Sequence, residues 1–198
     1  MDDDRFLEKS AMRRRLRARR RGLGLDPVQA GHDAAANFPW TLIAEARPPV
    51  VAGYRARIPE IDPVPLLARL NALGARIVLP AVVGRAMPLV FRDAGDSDDH
   101  VPDAAGILAP PPSASTVMPS LVIVPVLAFD RGGGRLGQGG GYYDRTLSAL
   151  RAAGPIWVVG LAYAAQEAPA VPMSTHDQRL DAILTERAYI PVSIRDGS

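Results

Sequence analysis

No cysteine occurs among the 198 residues. That absence excludes disulfides and thiolate nucleophiles, and it removes most structural zinc options. No apolar run approaches the roughly 18 residues that a membrane-crossing helix needs, since the longest, Leu121 to Phe129, is interrupted by Pro125. The N-terminus is acidic and then densely basic, with no apolar signal core, so an intracellular, cytoplasmic chain is expected. The three histidines, His32, His100 and His176, have no metal-like spacing. No Ser–His–Asp signature, GxxxxGK[ST] loop or GxGxxG opening of a first strand–helix unit is present. Lysine is nearly absent as well: Lys9 stands alone against 22 arginines. A compact ammonium differs chemically from a guanidinium, which singles Lys9 out.

What is present is an apolar fraction of 47%, enough to exclude wholesale disorder and to fill one core. One domain over 1–198 is expected. Seven arginines crowd the nine positions from Arg13 to Arg21, at the end of a helix expected over about 2–20 in which Phe6, Met12 and Leu16 are too sparse for a strong core face. No aromatic platform is interleaved with them, so nucleic acid is not the expected partner. A solvated face, or a helix lending cations to a phosphate site, accounts for them better.

The remainder alternates between strand and helix patterns. Helices are expected over Leu25–Ala46, Pro63–Leu73 and Tyr142–Ala153. Strands are expected over Pro49–Tyr54, Arg76–Pro80, Pro88–Arg92, Leu121–Phe129, Ile156–Leu161 and Ala188–Ile190, with a helical turn over Arg179–Ile183. The segment Ala94–Ser120 reads as a loop pinned by Val101 and Ile107. This order predicts an α/β fold: a three-layer α/β/α sandwich with a mostly parallel, Rossmann-like sheet and ligands at the carboxyl ends of its strands.

The densest signal follows Leu121–Phe129 and Asp130. Seven glycines fall within the ten positions 132–141, around Arg135, and lead into Tyr142, Tyr143 and Asp144. Glycines cost backbone entropy on ordering. A strand opening into a glycine-rich, arginine-bearing loop brings N–H groups and a guanidinium to an anion, so a phosphate or nucleotide site is expected here.

The run Arg135-Leu136-Gly137, Gly139 to Gly141, Tyr142, Tyr143, Asp144 and Arg145 closely resembles the 5-formyltetrahydrofolate cyclo-ligase family. Lys9 with Arg13, Glu60-Ile61-Asp62, Leu79-Pro80 with Met87, Gly106-Ile107, His176-Asp177 and Thr185-Glu186 agree with it in order, so the resemblance spans Lys9 to Glu186. It implies ATP-dependent conversion of 5-formyltetrahydrofolate to 5,10-methenyltetrahydrofolate, with release of ADP and phosphate and with Mg2+. The formyl oxygen is phosphorylated and N10 then attacks the activated carbon. Small-molecule substrates, no nucleic acid, no membrane, and a monomer or weak homo-oligomer are the implied partners. By the same resemblance, Lys9, Arg13, Arg135, Leu136, Gly137, Gly139, Gly140, Gly141 and Tyr142 would bind ATP, from the basic helix and the loop. Arg135, Tyr143 and Asp144 would be catalytic. Tyr54, Glu60, Met87 and Tyr143 would meet the folate, Glu60 accepting the amidine-like N–H pair of the pterin. Asp144 and Asp177 would meet the metal, and His176 and Asp130 would orient their turns.

The chain departs from the family pattern at Gln138 (commonly tyrosine), Ala109 (commonly acidic), Met173-Ser174 (a region that often carries a glutamate) and Pro63 (often threonine). Two other readings use the same residues: a non-catalytic folate- or nucleotide-binding relative, and a small-molecule kinase on the same scaffold.

Overall fold

A computed structural model of the chain describes residues 2–44, 49–95 and 99–192. Its helices are α1 (Asp2–Arg21), α2 (Pro27–Asn37), the short α3 (Thr41–Ala44), α4 (Val64–Ala72) and α5 (Tyr142–Ala153). Its strands are β1 (Val50–Ala52), β2 (Arg76–Val82), β3 (Leu89–Asp93), β4 (Val101–Pro102), β5 (Leu108–Ala109), β6 (Leu121–Pro125), β7 (Ala128–Phe129), β8 (Arg135–Leu136), β9 (Trp157–Leu161), β10 (Ala182–Leu184) and β11 (Tyr189–Pro191).

Seven strands form one sheet in the order β11-β10-β9-β6-β1-β2-β3. Neighbours from β10 to β2 run parallel, while β11 and β3 close the edges antiparallel. Side chains alternate faces along a strand, and both faces here are covered. Val51, Leu121, Ile123 and Val159 pack with Ala34 of α2 and with Leu66 and Leu70 of α4. Ala52, Val122, Val124 and Val158 pack with Leu147 and Leu150 of α5. Burial on both sides is why Leu121–Val124 is continuously apolar rather than alternating. The expected three-layer α/β sandwich is therefore present. α2 starts as expected from Asp26–Pro27, with the Asp26 carboxylate accepting from Val28 N at 2.8 Å and Gln29 N at 3.2 Å.

Helix α1 packs off the sheet. Its Leu16 joins Leu127, Ala128 and Leu136 of a two-stranded ribbon, β7–β8, that rises from the carboxyl end of β6. This places the basic helix beside the glycine-rich segment.

Several expected elements differ. The run Leu121–Phe129 is two strands, because Pro125 has no N–H to continue the ladder and the chain leaves the sheet there. Leu127 N then donates to Leu136 O at 2.7 Å to open the ribbon. The helix expected over Leu25–Ala46 breaks after Asn37 at Phe38-Pro39, with α3 beyond it; Ala46 lies outside the described residues, as does the Phe6 side chain. Arg179–Ile183 is not a helical turn, since Ala182–Leu184 forms β10. Four buried apolar residues are too few to distinguish the two periods. The segment before β6 is not pinned by Val101, which is exposed. Asp103 does that work, accepting from Val82 N at the end of β2 and from Ala105 N and Ile107 N, all within 2.8–3.0 Å.

Candidate active site

In the sheet order, β1 is followed in sequence by β2 on one side, and β6 then lies on its other side. An open parallel sheet leaves a crevice at such a switch of direction, outside the carboxyl ends of the strands. A cavity of about 580 Å³ occupies that place, a volume suited to a small-molecule ligand. Tyr54 beyond β1, Leu79, Pro80 and Val82 of β2, Leu89 of β3 and Pro125 of β6 form its floor and one wall. The opposite wall is the segment Arg135–Asp144, flanked by Lys9 and Arg13 of α1 and by Asp177.

The seven glycines divide into two groups with different work. Gly132–Gly134 turn the β7–β8 hairpin around Asp130, whose carboxylate accepts from Gly132 N and Gly134 N at 2.9 Å each and from Val171 N at 2.8 Å. Gly137, Gly139, Gly140 and Gly141 line the cavity. Gly139 and Gly141 have φ of 104° and 65°, backbone that a side chain would strain. Gly141 immediately precedes the first turn of α5, where N–H groups point outward toward an anion.

Cations converge on that segment. Arg13 Nε donates to Gly137 O at 3.0 Å, and Arg17 donates to Gln138 Oε1 at 2.9 Å and to Gln138 O at 3.0 Å. Lys9 is ion-paired with Asp177 and lies 3.3 Å from Ser174 Oγ. Arg135 is 6% exposed. Its Nε donates to Gln178 O at 2.8 Å and its Nη2 to Asp144 Oδ1 at 2.5 Å. Burial lowers the Arg135 pKa, with the Asp144 and Asp177 charges opposing; a guanidinium stays protonated regardless.

The rest of the lining joins apolar side chains, among them Leu79, Leu89 and Ile107, to Arg55, Arg57, Asp103 and Glu60. Glu60 is buried, its Oε2 accepting from Arg57 N at 2.9 Å. Tyr54 donates to Ile61 O at 2.8 Å. Burial, reinforced by the Glu60 charge, raises the Tyr143 pKa although Arg135 pulls it back, so its hydroxyl is a neutral donor near neutral pH.

A family model described as the 5-formyltetrahydrofolate cyclo-ligase family matches residues 5–186. The chain belongs to that family. It is similar to the 5-formyltetrahydrofolate cyclo-ligase of Escherichia coli K12, at 31% identity over 180 residues, covering 86% of this chain and 96% of that one. The Mycolicibacterium smegmatis 5-formyltetrahydrofolate cyclo-ligase is 34% identical over 141 residues, covering 66% and 70%. Among solved structures, the Aquifex aeolicus 5,10-methenyltetrahydrofolate synthetase superposes with a TM-score of 0.74 at 26% identity, covering 96% of this chain and 94% of that one. Membership in the cyclo-ligase family makes the chain a ligase-class enzyme. No helix among the described residues is long and apolar enough to cross a membrane.

Of the residues expected in the site of this cyclo-ligase family member, one cavity gathers Lys9, Arg13, Tyr54, Glu60, Leu136, the four loop glycines, Tyr142, Tyr143, Asp144, Arg135 and Asp177. Met87 is not among its lining residues. It stands in the β2–β3 turn, 53% exposed, with its side chain over Gly84, while Leu79 and Leu89 supply the apolar wall instead. His176 is exposed, and its turn is held by Asp177, which accepts from Ser174 N at 2.6 Å and Ser174 Oγ at 2.9 Å. Two departures from the family pattern are thus absorbed locally: Ser174 binds Asp177, and Gln138 binds Arg17. Ala109 is buried in β5, outside the cavity lining. Sequence reasoning missed Arg55, Arg57 and Asp103, which lie in loops without a motif, while Ile107, expected only to pin its loop, also lines the cavity. It also missed Arg20, for which a signal existed: Lys9, Arg13, Leu16 and Arg20 are spaced by four, three and four, one face of a helix.

Burial would raise the Asp177 pKa, but the bonds from Lys9 and Ser174 outweigh it and hold the carboxyl below its ordinary value. A depressed carboxyl contributes stability above its unfolded pKa, about 3.9, and that contribution disappears as pH falls through the folded value. Asp177→Asn is therefore expected to lower the urea midpoint at pH 6, with the gap to wild type closing below about pH 4. A gap of constant size would show that the carboxylate charge contributes nothing.

Proposed function

We propose that this chain converts 5-formyltetrahydrofolate to 5,10-methenyltetrahydrofolate while ATP becomes ADP and phosphate. The observation that carries this reading is the division of this cavity's lining. Lys9, Arg13, Arg135 and the glycine segment supply a cationic, N–H-rich end for a triphosphate, and away from it Tyr54, Leu79, Leu89 and Ile107 supply apolar surface beside the buried acid Glu60 for a pterin.

The formyl oxygen of an amide is a poor leaving group. Transfer of the γ-phosphoryl group to that oxygen breaks the bond to ADP and makes the oxygen departable. N10 attacks the activated carbon and gives up its proton to water, the ring closes, and the C–O bond breaks to release phosphate. No protein nucleophile is needed, which fits a chain without cysteine or a Ser–His–Asp signature. The protein's work is alignment of two ligands and stabilisation of charge on phosphoryl oxygens. Arg135, held from behind by Gln178 and Asp144, presents a fixed cation where that charge grows. Lys9 and Arg13 hold the outer phosphates, and the loop glycines let backbone N–H groups approach. Glu60 accepts from the pterin, and the Tyr143 hydroxyl donates at the junction of the two ligands.

Magnesium is part of this proposal. No group of three or more candidate ligands gathers among the described residues, so a dedicated protein cage is not what the site offers. Magnesium brought by a nucleotide needs only one or two carboxylates beside phosphate and water oxygens. Asp144 and Asp177 fit that requirement: both line the cavity, and Gln178, next to Asp177, donates its N–H to Asp144 Oδ1 at 3.0 Å. Bound there, the metal would draw charge from the phosphate oxygens.

The test is the near-ultraviolet absorbance of the methenyl product when purified protein meets 5-formyltetrahydrofolate, magnesium and ATP. A rise that requires ATP is expected. No rise with both ligands bound by calorimetry would discard the reaction and leave a binding protein.

A further inference from the structure

The arginine run at the end of α1 divides by exposure. Arg14, Arg15, Arg19 and Arg21 face solvent, and Arg13 and Arg17 bind the glycine segment. Arg20 does neither. It is 8% exposed, it does not line the cavity, and its Nε has no hydrogen-bond partner among the described residues. Among the described residues its charged partner is Glu60, with Arg20 Nη1 3.5 Å from Glu60 Oε1. A buried guanidinium with so little satisfaction is a poor stabilising device. Its position suggests a different purpose.

Glu60 is itself buried, at 7% exposure, and it does line the cavity. One of its oxygens is set by the loop, through Arg57 N. The other, among the described residues, has only Arg20. A carboxylate buried without a counter-charge is costly, and a carboxylate held by one bond can turn about it. Arg20 supplies the charge balance from the side away from the ligand and defines where Oε1 lies. The contact is long, so the oxygen keeps acceptor capacity for a second donor.

We infer that Arg20 is a positioning residue for folate binding: it stands behind Glu60, neutralises it, and holds its carboxylate facing the N–H pair of the pterin. The inference rests on the folate reading of this cavity given above. It assigns the two ends of one helix face to the two substrates. Lys9 and Arg13 serve the nucleotide, and Arg20, two turns further on, serves the folate through Glu60.

The experiment is a double-mutant cycle read in both Michaelis constants, with 5-formyltetrahydrofolate binding measured by calorimetry. Arg20→Met is expected to raise KM for 5-formyltetrahydrofolate by roughly tenfold, leaving KM for ATP within about twofold. Arg20→Lys, which keeps the charge, restores most of the loss. Glu60→Gln raises the folate KM as well, and adding Arg20→Met to it changes little further, because the arginine acts through the glutamate. Equal factors for Arg20→Met with and without Glu60→Gln would overturn the inference, and so would a parallel rise in KM for ATP. Should Arg20→Met fail to fold, Arg20→Gln compared with Arg20→Lys decides the same question: equal folate KM values in those two would overturn it. Wild-type protein that binds no 5-formyltetrahydrofolate would remove the folate reading, and the inference with it. Wild-type binding with no response to any Arg20 variant removes the inference alone.

Discussion

Arg135→Met is expected to lower kcat for methenyl formation by roughly a thousandfold, an effect typical of removing a fixed charge that meets a transferring phosphoryl group. The guanidinium is well placed for this. It starts from β8, is nearly sealed from solvent, and is fixed by Gln178 O and by Asp144 before any ligand arrives. Such a group has no reorganisation to undergo when charge develops. The variant also leaves the Asp144 carboxylate without its cation, so some stability is lost. Arg135→Lys separates the two effects. An ammonium balances Asp144 but cannot bond Asp144, Gln178 and a phosphoryl oxygen with one planar fork. Near-wild-type thermal stability with kcat still far below wild type is therefore expected for the lysine variant. Recovery of kcat in step with stability would reduce Arg135 to a structural role.

Lys9→Ala is expected to raise KM for ATP by about 10- to 100-fold, the range of one or two charged hydrogen bonds, with little change in KM for 5-formyltetrahydrofolate. Lys9 is buried at the cavity edge, paired with Asp177 and next to Ser174. A triphosphate offers the ammonium a second, more highly charged partner. The measurement is a pair of saturation curves, one in each substrate. Equal rises in both constants would point to loosening of α1 as a whole, because that helix also carries Arg13 and Arg17 onto the glycine segment. An unchanged KM for ATP would remove Lys9 from the nucleotide site.

The two effects come from different kinds of placement. Arg135 lies within the glycine segment and is fixed by residues that the fold brings from Asp144 and Gln178. Lys9 reaches the same cavity from the far end of the chain, carried by a helix anchored on the ribbon through Leu16. The ribbon exists because Pro125 ends β6 and Asp130 gathers the hairpin turn. A single interruption of the central strand thus builds the wall that carries the glycine segment.

Much of this could be read from the chain itself. The buried strands announce themselves by continuous apolar runs, α2 by Asp26–Pro27, and α5 by glycine followed by an amphipathic segment. The motif from Arg135 to Arg145 names the family before any coordinate is known, because its glycines, arginine, tyrosines and acid are local in sequence. Other features depend on contacts between residues far apart, and no local pattern carries those. Gly132–Gly134 and Gly137–Gly141 look alike in sequence, yet the first group turns a hairpin around Asp130 and the second lines the cavity. Met87 sits in an expected family element but is directed into a turn, while Leu89, two residues on, takes the wall. Asp103 reads as one more acid in a loop until its carboxylate is found capping the end of β2. The sequence alone determined the α/β class and the family, since composition, periodicity and a contiguous motif express these. Only the tertiary structure decided that Arg20 is buried against Glu60, because helix spacing marks a shared face while burial is a property of what the rest of the chain packs around it.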